Sequence, residues 1–205
     1  MQVTKFPQSC LVVEVEGSRL LIDAGTLVTA AYSADDLGDI DAVLFTHRHP
    51  DHLDTYLAAT LHRRGIGVFG NADVCELLGS DWVTEVRDGE PFTAAGIDVH
   101  PHDLPHVPLV DGSPGPPNTG FLIDGRLFHP GDGVEITGLG ARALAAPISG
   151  PSISFRDAYK LVESIGAEIV IPIHYEMFTA DPHHFARVCD IAEVVALDNG
   201  ATTQV

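Results

Sequence analysis

The most constraining feature of this chain is a group of four potential metal ligands within six residues, in the stretch FTHRHPDH at positions 45–52. The four are His47, His49, Asp51 and His52. The apolar run before them, 42–45, is typical of a buried strand, and leucines at helical spacing follow from position 53. Two histidines one residue apart on an extended chain point the same way, and imidazole and carboxylate suit borderline metals such as zinc. The stretch therefore predicts a metal site, with a histidine-rich solvated turn as the alternative.

The charge balance excludes several kinds of partner. Eleven Lys and Arg residues against 29 Asp and Glu residues give a net charge of −18. Such an acidic surface repels phosphate backbones and anionic lipids, so we expect no nucleic-acid or membrane partner. It leaves room for a small-molecule substrate at a cationic metal centre. The length of 205 residues suits one domain, covering residues 1–205.

The three cysteines, Cys10, Cys75 and Cys189, are far apart in sequence and form no Cys-x-x-Cys pair. We interpret them as reduced core residues, since free cysteine is among the most buried residue types. No leader-like segment opens the chain, and no apolar run approaches the length of a membrane span. The expectation is a cytoplasmic, unanchored protein.

Secondary structure alternates along the chain. Three hairpins are predicted, over 11–22, over 91–102 with a turn near 95–96, and over 120–128 around Asp124-Gly125. Further strands are predicted at 42–45, 169–171 and 193–197. Helices are predicted over 53–64, 72–78, 155–165 and 182–189, the third beginning with a capping box formed by Ser154 and Asp157. This order indicates a layered α/β protein with mixed sheets. The Pro/Gly-rich segment 110–118 is predicted to be a loop beside a site.

The stretch His-x-His-x-Asp-His at positions 47–52 resembles the metallo-β-lactamase superfamily. Three later positions fit that resemblance, each where a predicted strand ends: His106, Asp132 in a Gly-Asp pair, and His174 in a Pro-x-His-Tyr motif. The similarity extends from residues 21–25 to His174. Within the superfamily, the chain looks most like small hydrolases similar to ascorbate-6-phosphate lactonase. The resemblance implies a four-layer αββα sandwich with mixed sheets.

The resemblance also implies a ligand set. His47, His49 and His106 would bind a first metal ion, and Asp51, His52 and His174 a second, with Asp132 bridging the two. The expected cofactor is Zn²⁺, two per chain, with Mn²⁺ or Fe²⁺ as alternatives.

Several other residues have two possible interpretations each. Asp23 would either hold the loop that contains His47 or cap the turn at Ala24-Gly25. His100 or His102, on one face of a strand, could replace His106 as the ligand, although a proline fixes the turn before His106. Tyr175 would either donate to a developing oxyanion or be a buried, hydrogen-bonded tyrosine.

Four more histidines have expected roles outside the ligand set. His129 precedes the Gly-Asp pair and would either support a ligand or be a buried polar neighbour. His62, His183 and His184 fall on predicted helices and are expected to face solvent.

The function that follows is hydrolysis of a small ester, lactone or phosphoester by a metal-bound hydroxide. Asp51 or a metal-bound water would pass a proton to the leaving group. Two alternatives are a mononuclear iron oxygenase similar to sulfur dioxygenases and a non-catalytic metal-binding protein. The partners expected are a small-molecule substrate and, as an alternative to the monomer, a second copy in a homo-oligomer.

Overall fold

Two seven-stranded β-sheets with helices on their outer faces make up the computed structural model, which describes residues 1–205. The strands of the first sheet are β1 (Gln2–Lys5), β2 (Leu11–Val15), β3 (Ser18–Ile22), β4 (Ala42–Phe45), β5 (Gly67–Gly70), β6 (Val83–Glu85) and β14 (Thr202–Gln204). The strands of the second sheet are β7 (Phe92–Ala94), β8 (Ile97–Asp103), β9 (Thr119–Ile123), β10 (Leu127–His129), β11 (Ala143–Pro147), β12 (Ile169–Ile173) and β13 (Glu193–Val194). The helices are α1 (Thr26–Thr29), α2 (Thr55–Arg63), α3 (Ala72–Leu78), α4 (Phe155–Ile165) and α5 (Pro182–Val188).

Both sheets are mixed. The first has the order β14-β1-β2-β3-β4-β5-β6, antiparallel up to β3 and parallel from β3 to β6. The second has the order β13-β12-β11-β10-β9-β8-β7, with β10 to β13 parallel and the rest antiparallel. The three predicted hairpins are confirmed as β2–β3, β7–β8 and β9–β10.

Three apolar clusters define the layers. The largest lies between the sheets and includes Leu20 and Ile22 from the first sheet and Phe121 and Ile171 from the second. A second cluster packs α2 and α3 on the outer face of the first sheet, and a third packs α4 and α5 on the second. Alternate residues of a strand face opposite sides, so each sheet can supply two apolar layers. The predicted four-layer αββα sandwich is confirmed.

The helix boundaries follow from capping. The helix predicted from position 53 begins at Thr55, because Asp54 is its N-cap and accepts a hydrogen bond from the backbone of Leu57 at 2.9 Å. The predicted capping box of α4 is present. No helix of the chain is long and apolar enough to span a membrane. All three cysteines are buried and unpaired, as expected.

Several elements were not predicted: β1, β5, β6, β11, β14 and α1. The strand β11 reads Ala-Leu-Ala-Ala-Pro, with no β-branched residue, and β5 reads Gly-Val-Phe-Gly, with only two strand-favouring residues between glycines. Both lie between two other strands, which supply their ladder hydrogen bonds. The predicted strand 193–197 is shorter, ending at Val194.

The carboxyl ends of five strands meet at one edge of the sandwich. Strands β3 and β4 run parallel in the first sheet, and β8, β10 and β12 share one direction in the second. The loops after these five strands carry all the predicted metal ligands and Asp23.

Candidate metal centre

The seven candidate ligands lie close together in two groups. The ligand atoms of His47, His49, His106 and Asp132 are all within 4.8 Å of one another, and those of Asp51, His52 and His174 form a second group by the same measure. Loops after four strands contribute, so residues up to 127 positions apart in sequence meet here.

In the first group, three imidazole nitrogens converge. Nδ1 of His49 lies 3.2 Å from Nε2 of His47 and 3.2 Å from Nε2 of His106. Oδ2 of Asp132 lies 3.4 Å from Nε2 of His106. His47 is fully buried, while His49 and His106 border the open side.

In the second group, Oδ2 of Asp51 lies 3.2 Å from Nε2 of His174 and 3.8 Å from Nε2 of His52. Asp132 faces this group as well, with Oδ1 at 3.1 Å from Nε2 of His52 and Oδ2 at 3.3 Å from Nε2 of His174. The Asp132 carboxylate therefore lies between the two groups.

Hydrogen bonds behind the rings orient the imidazoles. Asp23 accepts from the Nδ1 of His52 at 2.7 Å and from the hydroxyl of Thr46 at 2.7 Å. Since that hydroxyl donates to Asp23, it accepts from Nδ1 of His47 at 3.0 Å. Nδ1 of His106 donates to the carbonyl of Val107 at 2.5 Å, and we assign these tautomers from the acceptors.

Nδ1 of His174 donates to the carbonyl of Ser149 at 2.5 Å. With the proton on Nδ1, the Nε2 lone pairs of these four histidines all face the same space. Such outward hydrogen bonds fix the tautomer and ring orientation of metal-ligating histidines.

Three of the inward-facing atoms are buried without a hydrogen-bond partner: Nε2 of His52, Nε2 of His174 and Oδ1 of Asp132. A buried polar atom left unpaired costs about 1–3 kcal/mol. Lone pairs of nitrogen and carboxylate oxygen at 3.1 Å repel unless a cation or proton lies among them. The residues present therefore fit a transition-metal site, whose ions would satisfy all three atoms.

The charges of the site are strongly coupled. Burial alone would raise the pKa of Asp132, but the imidazoles of His52 and His174 hold it well below its usual range. Burial likewise favours neutral His52, yet the carboxylates of Asp132 and Asp23 raise the pKa of His52 well above its usual value. A proton and a metal ion compete for the same Nε2 lone pair, so metal binding at this site would release protons.

Two glycines permit the close packing of these loops. Gly131 has φ +60°, and a Cβ there would lie 2.2 Å from Oδ1 of Asn118 and 2.7 Å from the hydroxyl of Thr46. A Cβ on Gly25 would lie 2.1 Å from the carbonyl carbon of Asp51. Each glycine lets two loops of the centre approach at backbone distance.

The sequence did not predict the roles of two supporting residues, Asn118 and Gln8. Asn118 accepts from the backbone of Asp132 at 3.2 Å and donates to the carbonyls of Leu104 and Pro130, so it links the loops of two ligands. Gln8 donates from Nε2 to Oδ2 of Asp51 at 3.0 Å. Neither residue lies in a motif; the end of the Pro/Gly-rich segment at Asn118 was the one available signal.

The structure distinguishes between the alternative interpretations of three residues. Asp23 is fully buried and holds the His47 loop through Thr46 and His52, as one interpretation predicted. His100 and His102 lie outside both ligand groups, whereas His106 lies within one. The Tyr175 hydroxyl donates to the carbonyl of Leu197 at 3.3 Å, which is the buried, hydrogen-bonded alternative to the oxyanion role.

The other histidines also have defined places. His129 is fully buried, with Nε2 at 2.8 Å from the carbonyl of Ser9 and Nδ1 accepting from Gly131 at 3.3 Å, so it fixes the Gly-Asp turn. His62, His183 and His184 are exposed, as expected.

A cavity of about 520 Å³ opens on the centre, lined by five of the seven candidate ligands: His49, Asp51, His106, Asp132 and His174. A larger groove of about 730 Å³ lies beside His106 but contains none of the other six candidate ligands. The chemistry of the centre therefore belongs to the smaller cavity.

Comparisons with known proteins agree with this geometry. The beta-lactamase superfamily domain matches residues 2–174. A UPF0173 metal-dependent hydrolase of Hyperthermus butylicus is 32% identical over 222 residues, which cover 94% of each chain.

Solved structures share the fold. Igni18, described as a novel metallo hydrolase from Ignicoccus hospitalis, superposes with a TM-score of 0.81 at 24% identity, covering 98% of this chain and 97% of its own. The metallo-beta-lactamase fold protein YhfI from Bacillus subtilis superposes with a TM-score of 0.71 at 18% identity, covering 98% of both chains. From the domain match and the 32% identical relative, this chain belongs to the metallo-β-lactamase superfamily, within its UPF0173 family.

Proposed function

We propose that this protein is a metal-dependent hydrolase that holds two transition-metal ions, with Zn²⁺ as the expected metal and Mn²⁺ or Fe²⁺ as alternatives. His47, His49 and His106 would bind one ion, and Asp51, His52 and His174 the other. The observation that carries this proposal is the position of Asp132, whose two oxygens face His52 at 3.1 Å and His106 at 3.4 Å. Two dications can lie close together only with an anion between them, and Asp132 would be that anion.

The ions, when bound, would lower the pKa of a water molecule and polarise the reacting oxygen of the substrate. The chain itself would orient the reactants and handle the proton. Asp51 borders the cavity, and the hydrogen bond from Gln8 holds its Oδ2 toward the centre. We assign to Asp51 the uptake of a proton from the attacking water and its delivery to the leaving group. No side-chain nucleophile is required, and all three cysteines are buried.

The proposed substrate is a small ester, lactone or phosphoester. The resemblance to ascorbate-6-phosphate lactonase suggests this class of substrate. A volume of about 520 Å³ supports a small molecule, since ligand cavities typically measure roughly 300–1,000 Å³. Hydrolysis is supported by relatives described as metal-dependent hydrolases, including the one from Hyperthermus butylicus.

We also propose that residues 1–205 form one domain, since strands β1 and β14 from opposite ends of the sequence pair in one sheet. A cytoplasmic location is supported by three cysteines without a disulfide. The net charge of −18 supports the exclusion of nucleic acid as a partner. A homo-oligomer is retained as an alternative to the monomer.

Metal content tests the proposal directly. After zinc addition and removal of excess, elemental analysis should find two ions per chain. His52→Ala should lose one ion, because the second group loses a ligand, whereas His62→Ala on the exposed face of α2 should keep both. Asp132→Asn keeps the shape but removes the charge, so it should also lower occupancy. A wild-type chain that binds no metal under these conditions would contradict the proposal.

Isotope labelling tests the reaction class. When the zinc-loaded protein turns over an ester in H₂¹⁸O, one solvent oxygen should enter the product per turnover. Consumption of O₂ with its oxygen in the product would replace hydrolysis by the iron-oxygenase alternative.

A further inference from the structure

The walls of the 520 Å³ cavity differ in chemistry from the centre at its base. Apart from the ligands, they consist mainly of apolar side chains, among them Val107, Leu109, Val110, Met177 and Phe178. Three of these are large and solvent-exposed, with 36% of Leu109, 83% of Val110 and 48% of Met177 accessible. Exposed apolar side chains grouped around one opening mark a ligand-binding surface.

Outside the candidate ligands, no cationic side chain lines this cavity. Its 13 lining residues include no Lys or Arg, and its one charged residue outside the ligand set is Asp111. Arg48, which lies within the metal-ligand stretch, is outside the cavity and pairs with Asp73 at 3.2 Å. Proteins recognise phosphate and carboxylate substituents with Arg, Lys or clustered backbone amides, and Asp111 would instead repel an anion.

The apolar walls begin directly at the ligands. The ring of Phe178 stacks on that of His174, with centroids 5.3 Å apart and planes at 26°. Residues 107–110 continue the chain from His106 and line the same cavity. A substrate with its reacting group at the centre would therefore place its adjoining group against Phe178, Met177 and residues 107–110.

We propose, resting on the proposed function, that the substrate is an uncharged carboxylic ester or lactone with an apolar group next to the reacting carbonyl. Water adds its oxygen to the carbonyl carbon, the acyl C–O bond breaks, and the alkoxide leaving group receives a proton. The products are a carboxylic acid and an alcohol, or one hydroxy acid from a lactone. The apolar group rests on the cavity walls, where each methylene removed from water strengthens binding a few-fold.

Matched chromogenic substrates test this assignment on the zinc-loaded protein. We expect kcat/KM for 4-nitrophenyl hexanoate to exceed that for 4-nitrophenyl acetate by about 10-fold or more, and 4-nitrophenyl phosphate to be a poorer substrate than either. Preference for the phosphate would overturn the inference and leave the hydrolase proposal standing. No turnover of any of the three by protein with two bound ions would count against the hydrolase proposal itself.

Introducing a positive charge into the wall tests the assignment, and the same change outside the cavity is the matched control. Met177→Lys should reduce the hexanoate-to-acetate ratio by about 10-fold, because the ammonium group occupies the apolar wall. Val188→Lys changes a residue of equal exposure, 48%, on α5 outside the cavity and should leave the ratio unchanged. Met177→Leu should retain the preference. An unchanged ratio in Met177→Lys would contradict the assignment.

Binding provides a readout independent of activity. In the zinc-free protein, hexanamide should shift the NMR signals of residues 107–110 and 177–178, and Met177→Lys should weaken this binding. Shifts confined to other parts of the chain would overturn the placement of the apolar group.

Discussion

Gln8 is a fully buried glutamine that links three parts of the centre. Its amide donates to Asp51 at 3.0 Å, its side-chain oxygen accepts from the backbone of Met177 at 3.3 Å, and its carbonyl accepts from the backbone of His174 at 3.0 Å. It adopts φ +63°, which places this loop of the chain's first ten residues against the second ligand group. One residue thus holds a carboxylate ligand, the segment of a histidine ligand and the cavity wall.

Gln8→Ala should weaken the affinity of the second ion by about 10–100-fold, the usual effect of losing a hydrogen-bond partner of a metal ligand. Gln8→Glu, with similar shape, should also weaken it, because a second carboxylate faces Asp51 without a donor. Competition with a chromogenic chelator measures both. Gln204→Ala, an exposed glutamine on β14, is the control, and equal affinities in all four proteins would exclude a positioning role for Gln8.

Lys5 is a fully buried lysine near the centre. Its ammonium group binds the carbonyl of Phe6 at 3.1 Å, Oδ1 of Asn199 at 3.0 Å and the carboxylate of Glu176, and lies 4.6 Å from the centroid of the Tyr175 ring. Burial lowers the pKa of Lys5, and Glu176 offsets only part of that effect. The folded state therefore releases the proton of Lys5 at a lower pH than the unfolded chain does.

This lowered pKa predicts a pH dependence of stability. Between the folded pKa of Lys5 and its unfolded value of about 10.4, the unfolded state binds more protons, so this residue's contribution to stability rises with pH. Below that window the contribution is lost. Urea unfolding at several pH values from 8 to 10.5 should give wild type a more positive slope than Lys5→Met. Lys160→Met, which changes the other lysine of the chain, should keep the wild-type slope; a wild-type slope in Lys5→Met would contradict the argument.

At the level of elements, α4 shows how local sequence supports the centre from a distance. Its first turn is closed by Ser154 and Asp157, with the Ser154 hydroxyl 2.6 Å from the Asp157 carboxylate and the Ser154 backbone donating to that carboxylate at 3.0 Å. The buried face, which includes Leu161 and Ile165, packs on the sheet that contains β12. Since His174 directly follows β12, α4 supports the sheet whose strand presents this candidate ligand.

Ser154→Ala should lower the free energy of unfolding by about 1 kcal/mol, the typical cost of removing an N-cap side chain. Ser154→Thr should recover most of this loss, because threonine also caps. Ser80→Ala, an exposed serine, should change stability by less than about 0.5 kcal/mol. Chemical denaturation measures all three, and equal stabilities for the alanine variants would show that the cap is dispensable.

At the scale of the whole molecule, the two sheets share one interior and one metal centre. The central apolar cluster draws residues from both sheets, and the ligands come from loops of both. Neither half can bury its inner face without the other. Metal ions bound at the centre would add cross-links between the halves that exist only in the folded chain.

The whole chain should therefore unfold in one cooperative transition, and bound metal should increase the free energy of unfolding. Fluorescence of Trp82, which packs beside the first sheet, and far-UV circular dichroism should give coincident curves. Zinc at 100-fold excess over its Kd should stabilise by about 2.7 kcal/mol per site, and a chelator should remove the gain. Separate transitions for the two signals would show that the halves unfold independently and would contradict a single domain.

Much of the candidate site could be predicted from the sequence, because its residues either cluster within one short segment or directly follow strands. The four candidate ligands at 47–52 lie in one loop, and His106, Asp132 and His174 each follow a recognisable strand pattern. The roles of Gln8 and Asn118 could not be predicted, because a single amide in a loop carries no periodicity. Gln8 bonds to a residue 43 positions away in sequence, and Asn118 to one 14 positions away. Their roles exist only after both sheets have formed.

The hairpins, the long helices, the layered architecture and the residues able to bind metal could be predicted without coordinates, because they depend on local periodicity, capping and the chemistry of neighbouring side chains. Tertiary packing completes the sheets: β11 has no β-branched residue and β5 has only Val68 and Phe69 between two glycines, and each forms a strand between two neighbouring strands. Packing also places Asp132 between the two groups of candidate ligands, the Tyr175 hydroxyl against the carbonyl of Leu197, and mainly apolar side chains without Lys or Arg around the cavity. These features depend on distances between residues remote in sequence, and only packing sets those distances.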